Sequence, residues 1–393
     1  MMSARTTGFI RRSISLALLA TLVEVTGCIA DDELDGPLGE AQESIAAVTP
    51  SLWGCTSVDA TVFTHVFAGR AVSCGVGVYC AVGSGQQIGT VLTIGDVRVS
   101  QTNPGYYVAG SCLGPTSFQW PLAGANGSAW VINNYVDLDT DPGDLRDYAG
   151  GQKTYDGHQG EDICIASFRT MDKGIPVLAA ASGTVIETHD GEFDRNTSCT
   201  GNANYVKVRH ANGSEAWYWH MRNGSVAVST GAHVNAGTKL GEVGSSGCST
   251  DPHLHFEVHE YNGTLLDPFR DNMFASPPAY SASVHLLDVA MMLGHVSDAA
   301  AKSPGMNANL LNIGAQFSTV MYTGNGLAGQ TLAVQIMGPN GKQWNRSADI
   351  TLTGTERQRR FRWWWTLGNT RGDYVVRFLV NGSVAKTLTF TAG

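Results

Sequence analysis

This chain is short of charge. Only 15% of its 393 residues are charged, and acids outnumber bases, 34 to 25, for a net −9. A nucleic-acid binder needs a basic footprint, so that partner class is excluded, as is a simple electrostatic grip on an anionic polymer. The apolar run near the start, Ile14–Val25, is shorter than the roughly 20 residues of a normal membrane span. There is no Cys-x2-Cys pair, which argues against a zinc ribbon. No cysteine sits in a recognisable Cys/His motif, so a thiol nucleophile has no support. Residues 116–275 contain no convincing amphipathic helix. Glycine is plentiful: 47 glycines beside an apolar fraction of 43% point to turn-rich β structure. The length implies two or three domains.

Residues 1–28 read as an export signal. Arg5, Arg11 and Arg12 make a basic start before the apolar run. The run ends Val25-Thr26-Gly27-Cys28, which resembles a bacterial lipobox and implies a lipid anchor at Cys28. Either this or an ordinary secretory signal takes the protein out of the cytoplasm. Residues 29–50 carry Asp31, Asp32, Glu33, Asp35, Glu40 and Glu43 with little to pack, and read as a disordered acidic linker.

Residues 51–115 hold Cys55, Cys74, Cys80 and Cys112, enough for two disulfides in a small exported module. The alternating runs Ala60–Val66, Val76–Val82 and Gly89–Val99 predict short strands, and His65 within the first reads as structural. Cys164, Cys199 and Cys248 follow. If Cys28 is lipidated, the remaining cysteines are odd in number, implying a free thiol or an interdomain bridge. A Cys199–Cys248 pairing would pin the loop before the next motif.

The chemistry lies in residues 116–275. Asp137, Asp139 and Asp141 alternate as in a calcium loop. Pro142 stands where such a loop needs glycine, and Tyr148 where it needs a closing acid, so a solvated turn is the better reading. Gly174–Glu187 is predicted as a hairpin turning at Ser182-Gly183. Tyr205–His210 and Glu215–Trp219 form another around Asn212-Gly213.

Asp251-Pro-His-Leu-His-Phe-Glu-Val258 predicts a strand. Alternation puts His253, His255 and Glu257 on one face and Leu254, Phe256 and Val258 on the other, apolar one. Upstream, Tyr155-Asp-Gly-His-Gln-Gly-Glu-Asp162 offers His158 and Asp162, with Gly157 and Gly160 letting the backbone bend close. His220 ends the strand after Tyr218. A hydrolytic zinc site takes three protein ligands and keeps one position for water. His158, Asp162 and one of His253 or His255 satisfy that. The metal would bring the water's pKa towards about 7. The unused imidazoles, His220 and the other of the pair, suit proton transfer. His189, His210, His233 and His259 lack such partners and read as structural. Glu257 is a candidate to orient a ligand; the alternative is a solvated strand residue.

Together, Gly157-His158-x-Gly160-x-Asp162, Tyr218-x-His220 and Pro252-His-Leu-His255 resemble the LytM/lysostaphin-type zinc endopeptidases of bacterial cell walls. The intervening Gly-Ile-Pro-Val, Asn-Tyr-Val-x-Val-x-His and Gly-x-Val-Gly-Ser-Ser-Gly segments and Asp267-Pro268 are similar as well, over residues 120–270. The resemblance implies one zinc ion held by His158, Asp162 and His255, with His220 and His253 as the catalytic pair. It implies a mainly β, antiparallel catalytic domain with a groove, and peptidoglycan peptide as substrate, cut in the stem peptide or the cross-bridge. Some relatives place a tyrosine near the metal; Tyr155 is the nearby candidate. One departure stands out: the family's Thr-Gly-Pro-His reads Thr250-Asp251-Pro252-His253 here, which alters the turn but not the ligands. Two rival readings are a non-catalytic wall-binding or activator protein of the same fold, and a peptidase of non-wall, glycine-rich chains.

Residues 276–393 begin at Pro277-Pro278. Short helical turns are expected over His285–Lys302. Six β-type runs then end in Gly372–Ser383, a hairpin typical of an Ig-like β-sandwich. Trp363–Trp365 reads as core and edge packing.

Overall fold

The computed structural model describes residues 23–26, 55–110, 116–280, 283–354 and 357–393. Most of the expected signal, including Cys28, and the acidic linker 29–50 lie outside the described residues. Val23–Thr26 is the exception: its backbone runs antiparallel to Arg359–Arg362.

An eight-stranded sheet carries the middle of the chain. Its order is His233–Val234, Gly183–His189, Tyr205–His210, Glu215–Trp219, His253–His259, Glu161–Cys164 and Val131–Asn134, with Leu265–Leu266 also beside His253–His259. Every neighbouring pair is antiparallel. Alternation explains which face is which. Val206, Val208, Ala216, Tyr218, Ile163, Leu254, Phe256 and Val258 all point one way and are fully buried in one core. The intervening residues point into the opposite, polar face. Asn212-Gly213 makes the tight turn between Tyr205–His210 and Glu215–Trp219, as expected.

Residues 174–187 are not a hairpin. Pro176–Leu178 pairs with Lys239–Glu242, while Gly183–His189 pairs with Tyr205–His210 and His233–Val234. Ser182-Gly183 moves the chain from one sheet to another, and a Cβ on Gly183 would lie 2.5 Å from the Arg209 carbonyl oxygen.

The N-terminal module has two three-stranded sheets. The Ala60–Val66 run is not a strand: Val62–Phe67 is a helix, capped by Thr61 Oγ1 accepting from Thr64 N at 3.2 Å. Its β-branched residues fit the helix because the cap is good and Val62 and His65, three apart, share the buried side. His65 is structural, between the Val97 carbonyl and Arg70 Nε, both at 2.9 Å. The module docks through Thr102, whose hydroxyl donates to the Asn212 carbonyl at 2.9 Å, and Tyr106, which packs on Gly213 and Tyr261. Cys74–Cys80 and Cys199–Cys248 are disulfides, and Cys55 and Cys164 are disulfide-bonded too. No cysteine is free among the described residues.

The C-terminal part is a sandwich. One sheet contains His285–Leu293, Gln316–Gly324 and Arg359–Thr366; a six-stranded sheet contains Thr331–Met337, Gly372–Val380 and Ser383–Ala392. Phe317, Trp363, Trp365, Phe378 and Phe390 fill the space between them. The helical turns expected over His285–Lys302 are only partly present: His285–Leu293 is a nine-residue strand, and the helix is Asp298–Lys302. That strand is apolar on both faces because it separates two cores. Val289 and Met291 face the sandwich, while Leu287 and Ala290 pack with Val131 and Ala166 of the central domain. The sandwich and the central domain therefore share a hydrophobic seam.

Candidate metal centre and the histidine pair beside it

The strand His253–His259 is buried at all seven positions. Its pairing with Glu161–Cys164 sets His255 opposite Asp162, and its pairing with Glu215–Trp219 sets His255 opposite Trp219, one residue before His220. Local backbone brings in His158. The Asp137 carboxylate accepts from Gly157 N at 3.0 Å, and Gly157 adopts φ 75°, which glycine takes without strain. Asp137, a calcium-loop residue by spacing, is thus a buried brace for the turn carrying His158.

Each imidazole's tautomer follows from its partners, since a carbonyl only accepts. His158 Nδ1–H donates to the Tyr135 carbonyl at 2.8 Å, which leaves Nε2 as a lone pair. His255 Nε2–H donates to Glu257 Oε1 at 2.9 Å, which leaves Nδ1 as a lone pair. Asp162 Oδ2 accepts from Asn134 Nδ2 at 2.7 Å, so Oδ1 is the atom that faces the histidines. These three free atoms converge. His158 Nε2 is 3.2 Å from Asp162 Oδ1 and 3.2 Å from His255 Nδ1, and the last two are 2.8 Å apart. Ligand atoms at about 2.0–2.1 Å from a tetrahedral zinc stand about 3.3 Å apart, so the triangle and its two nitrogens and one carboxylate fit such an ion.

Electrostatics point the same way. Burial by itself would raise the Asp162 carboxyl, but His158 and His253 beside it hold it well below the usual range. Burial opposes protonation of His255, yet its bonds to Asp162 and Glu257 push its pKa up to about 10. Two lone pairs at 2.8 Å repel, so a positive charge belongs between Asp162 and His255, as a proton or as a metal cation.

His220 and His253 stand next to this triangle, their ring centroids 4.6 Å apart. His220 Nδ1–H donates to the Ser246 carbonyl at 2.7 Å, and His253 Nδ1–H to the Asp251 carbonyl at 2.8 Å. Both Nε2 atoms are therefore proton acceptors, and that of His253 lies 3.4 Å from Asp162 Oδ1. Burial, with His253 and His255 close by, pushes the His220 pKa well down, so the ring is neutral at neutral pH. His220 also holds φ 62°; the other non-glycine residues with positive φ among those described are asparagines, which tolerate it. A histidine there is strained backbone at the site.

All five histidine and aspartate candidates named from the sequence thus come together. His189, His210 and His233 lie elsewhere. His259, also read as structural, is tied in: its Nε2 is 2.7 Å from Glu257 Oε2, and its ring stacks on Trp217 at 4.0 Å. Continuing the alternation His253, His255, Glu257 two residues further would have found it. The ring of Tyr155 lies 4.3 Å from that of His158. Asp139, half-buried, and the exposed Asp141 and Asp144 form a second acidic group.

Comparison with known proteins falls on the same stretch. Residues 156–268 match the model of peptidase family M23. The chain is 40% identical over 96 residues to the DD-carboxypeptidase/endopeptidase Mpg of Neisseria meningitidis, covering 24% of this chain and 20% of that protein. It is 36% identical over 84 residues to the peptidoglycan DD-endopeptidase ShyC of Vibrio cholerae, covering 21% and 17%. With lysostaphin of Staphylococcus staphylolyticus it shares 35% over 102 residues, covering 25% and 19%. The chain spans about a fifth of the length of the curated relatives it matches. The motifs, the converging side chains and this match all place the likeness to peptidase family M23 in residues 156–268.

Proposed function

We propose that this chain is an exported, zinc-dependent endopeptidase that hydrolyses peptide bonds in bacterial cell-wall peptidoglycan. The observation that carries the reading is the triangle of free ligand atoms on His158, Asp162 and His255, with two proton-accepting imidazoles at its edge. Zinc held there would supply Lewis-acid activation of water and of the scissile carbonyl. The protein's own share is proton handling. One Nε2 of the His220/His253 pair takes a proton from the attacking water as its oxygen bonds to the carbonyl carbon. When the carbon–nitrogen bond breaks, that proton passes to the leaving nitrogen. The charged ring meanwhile faces the developing oxyanion in a buried setting, where such an interaction is strong. Disulfides at Cys74–Cys80 and Cys199–Cys248 support an oxidising compartment outside the cytoplasm, with Cys28 as the point of lipid attachment. The substrate class rests on the relative ShyC, whose name specifies a peptidoglycan DD-endopeptidase.

The test is clearing of a cell-wall suspension together with zinc content. Wild type clears and holds one zinc per chain. His253→Ala keeps its zinc and loses clearing by about 100-fold or more, while Asp162→Ala loses both. Undiminished clearing by His253→Ala would reject the assignment.

A further inference from the structure

The turn before the catalytic strand departs from the resembling family at Asp251, and the structure gives that aspartate a partner in another domain. Asp251 is 2% exposed and Arg360, from the C-terminal sandwich, is 0% exposed. Arg360 Nη1 lies 2.8 Å from Asp251 Oδ1. Lys302 Nζ, at the end of helix Asp298–Lys302, lies 3.1 Å from Asp251 Oδ2 and donates to the Thr250 carbonyl at 2.7 Å. Arg360 is itself held by Asp298, whose Oδ1 is 2.9 Å from Nε and whose Oδ2 is 3.1 Å from Nη2. The backbone of the same Asp251 does a second thing: its carbonyl accepts from His253 Nδ1 at 2.8 Å and from Ser249 Oγ at 3.0 Å. One residue is therefore gripped by the sandwich through its side chain and grips a catalytic imidazole through its main chain. Pro252 follows, with φ fixed by its ring, so little freedom remains between the two ends.

We infer that the C-terminal sandwich is a working part of the active site: through the clamp Arg360–Asp251–Lys302 it sets the orientation of His253. Glycine at position 251 would offer the same carbonyl but no handle for a neighbouring domain. A buried ion pair adds little net stability compared with a well-packed apolar pair. Its use here is to fix geometry, since a charged fork on a carboxylate tolerates few orientations. Asp251, Arg360 and Lys302 are positioning residues, because none faces the substrate groove's reacting atoms. The inference rests on the proposed function for its kinetic readout, but the geometry can be tested without turnover.

The experiment uses the full chain loaded with zinc. Asp251→Ala, Arg360→Lys, Arg360→Gln and Lys302→Met are compared for kcat, KM, zinc content and thermal midpoint. In parallel, 15N-histidine spectra follow the Nδ1–H proton of His253, identified by its loss in His253→Ala. Asp251→Ala is expected to lower kcat tenfold or more, with KM changed less than twofold and zinc still one per chain. Arg360→Lys, which keeps a cation but not the fork that holds Asp251 and Asp298 together, should recover only part of the loss seen in Arg360→Gln. Lys302→Met, which removes the less buried arm, should lower kcat about threefold and speed exchange of the His253 Nδ1–H proton, with an unchanged midpoint. Wild-type kcat in folded Asp251→Ala, or a loss traced entirely to missing zinc, would overturn the inference. If Asp251→Ala fails to fold, unchanged kcat and unchanged proton exchange in Lys302→Met overturn it alone. A wild type that binds zinc but cuts no peptide would sink the endopeptidase reading, and the proton exchange would still decide the clamp.

Discussion

Glu257 shows what one buried charge does at this site. Its two oxygens serve two rings, Oε1 accepting from His255 at 2.9 Å and Oε2 from His259 at 2.7 Å. Burial would raise its pKa, but these two bonds pull it far below the usual carboxylate range, so it is ionised. The charge locks the tautomer that leaves His255 Nδ1 free and makes that nitrogen more basic. Glu257→Gln keeps an acceptor but loses the charge and adds a donor. Zinc affinity should then fall about 10- to 100-fold, as read by competition with a chelator. Affinity within twofold of wild type would show that the carboxylate merely fills space. The alternating pattern made His253, His255 and Glu257 legible, and the motif spacing made His158, Asp162 and His220 legible. What no motif could give was the partner of each second ring nitrogen. Those partners are the carbonyls of Tyr135, Ser246 and Asp251, backbone atoms that only tertiary folding brings close.

At the scale of elements, the strand His253–His259 is unusual in having a polar face that is nearly as buried as its apolar one. Close neighbours make that possible, and Gly160 is the closest. A Cβ there would lie 2.6 Å from the Phe256 carbonyl oxygen and 2.9 Å from His255 Nε2. The turn from His158 to Asp162 can run along the strand only because that hydrogen is not a methyl. Gly160→Ala should cost about 1–3 kcal/mol of stability through overpacking and weaken zinc binding, because the relieving movement displaces His255. Urea unfolding with and without excess zinc separates the two effects; equal losses in both conditions would leave the ligand ring out of it. Among the elements misread from sequence, three are instructive, two of them for a non-local reason. Val62–Phe67 was settled by a cap and by which side of the module is buried. Pro176–Leu178 found its partner about sixty residues downstream rather than across the nearest turn. The helical turns expected over His285–Lys302 gave way, in His285–Leu293, to a strand that faces two cores at once. Cys199–Cys248, guessed as a brace for the loop before His253, is a disulfide joining two short paired strands there.

At the scale of the molecule, Pro277-Pro278 reads as a break in the sequence, but the seam across it was not legible. A run of alternating apolar residues does not reveal that a second domain covers its other side. The seam buries charge as well as methyl groups. Lys153 is 4% exposed, donates to Asn325 Oδ1, and has the Tyr135 and Tyr280 rings 5.6 and 5.9 Å from its ammonium. Burial, helped by Arg357 and opposed by Asp147, brings its pKa down to about 7. In the unfolded chain a lysine titrates near 10.4. Between about pH 7 and 10, then, the unfolded state binds a proton that the native state has released. Linkage makes stability rise with pH across that window, while below pH 7 the penalty of burying the ammonium is felt in full. Raising the pH from 7 to 9 should therefore increase unfolding free energy by about 2 kcal/mol through this one group, at ~1.4 kcal/mol per unit. Lys153→Met removes the group and should remove that increment, so the two proteins' midpoints converge at high pH and diverge near neutrality, with the methionine variant the more stable there. Urea midpoints at pH 7 and 9 for both proteins check it. Because the Lys153 carbonyl accepts from Tyr135 N, and the Tyr135 carbonyl in turn accepts from His158 Nδ1, the same titration bears on the metal side. Parallel pH curves for the two proteins would mean that the ammonium reaches water, and that the seam is looser than its packing implies.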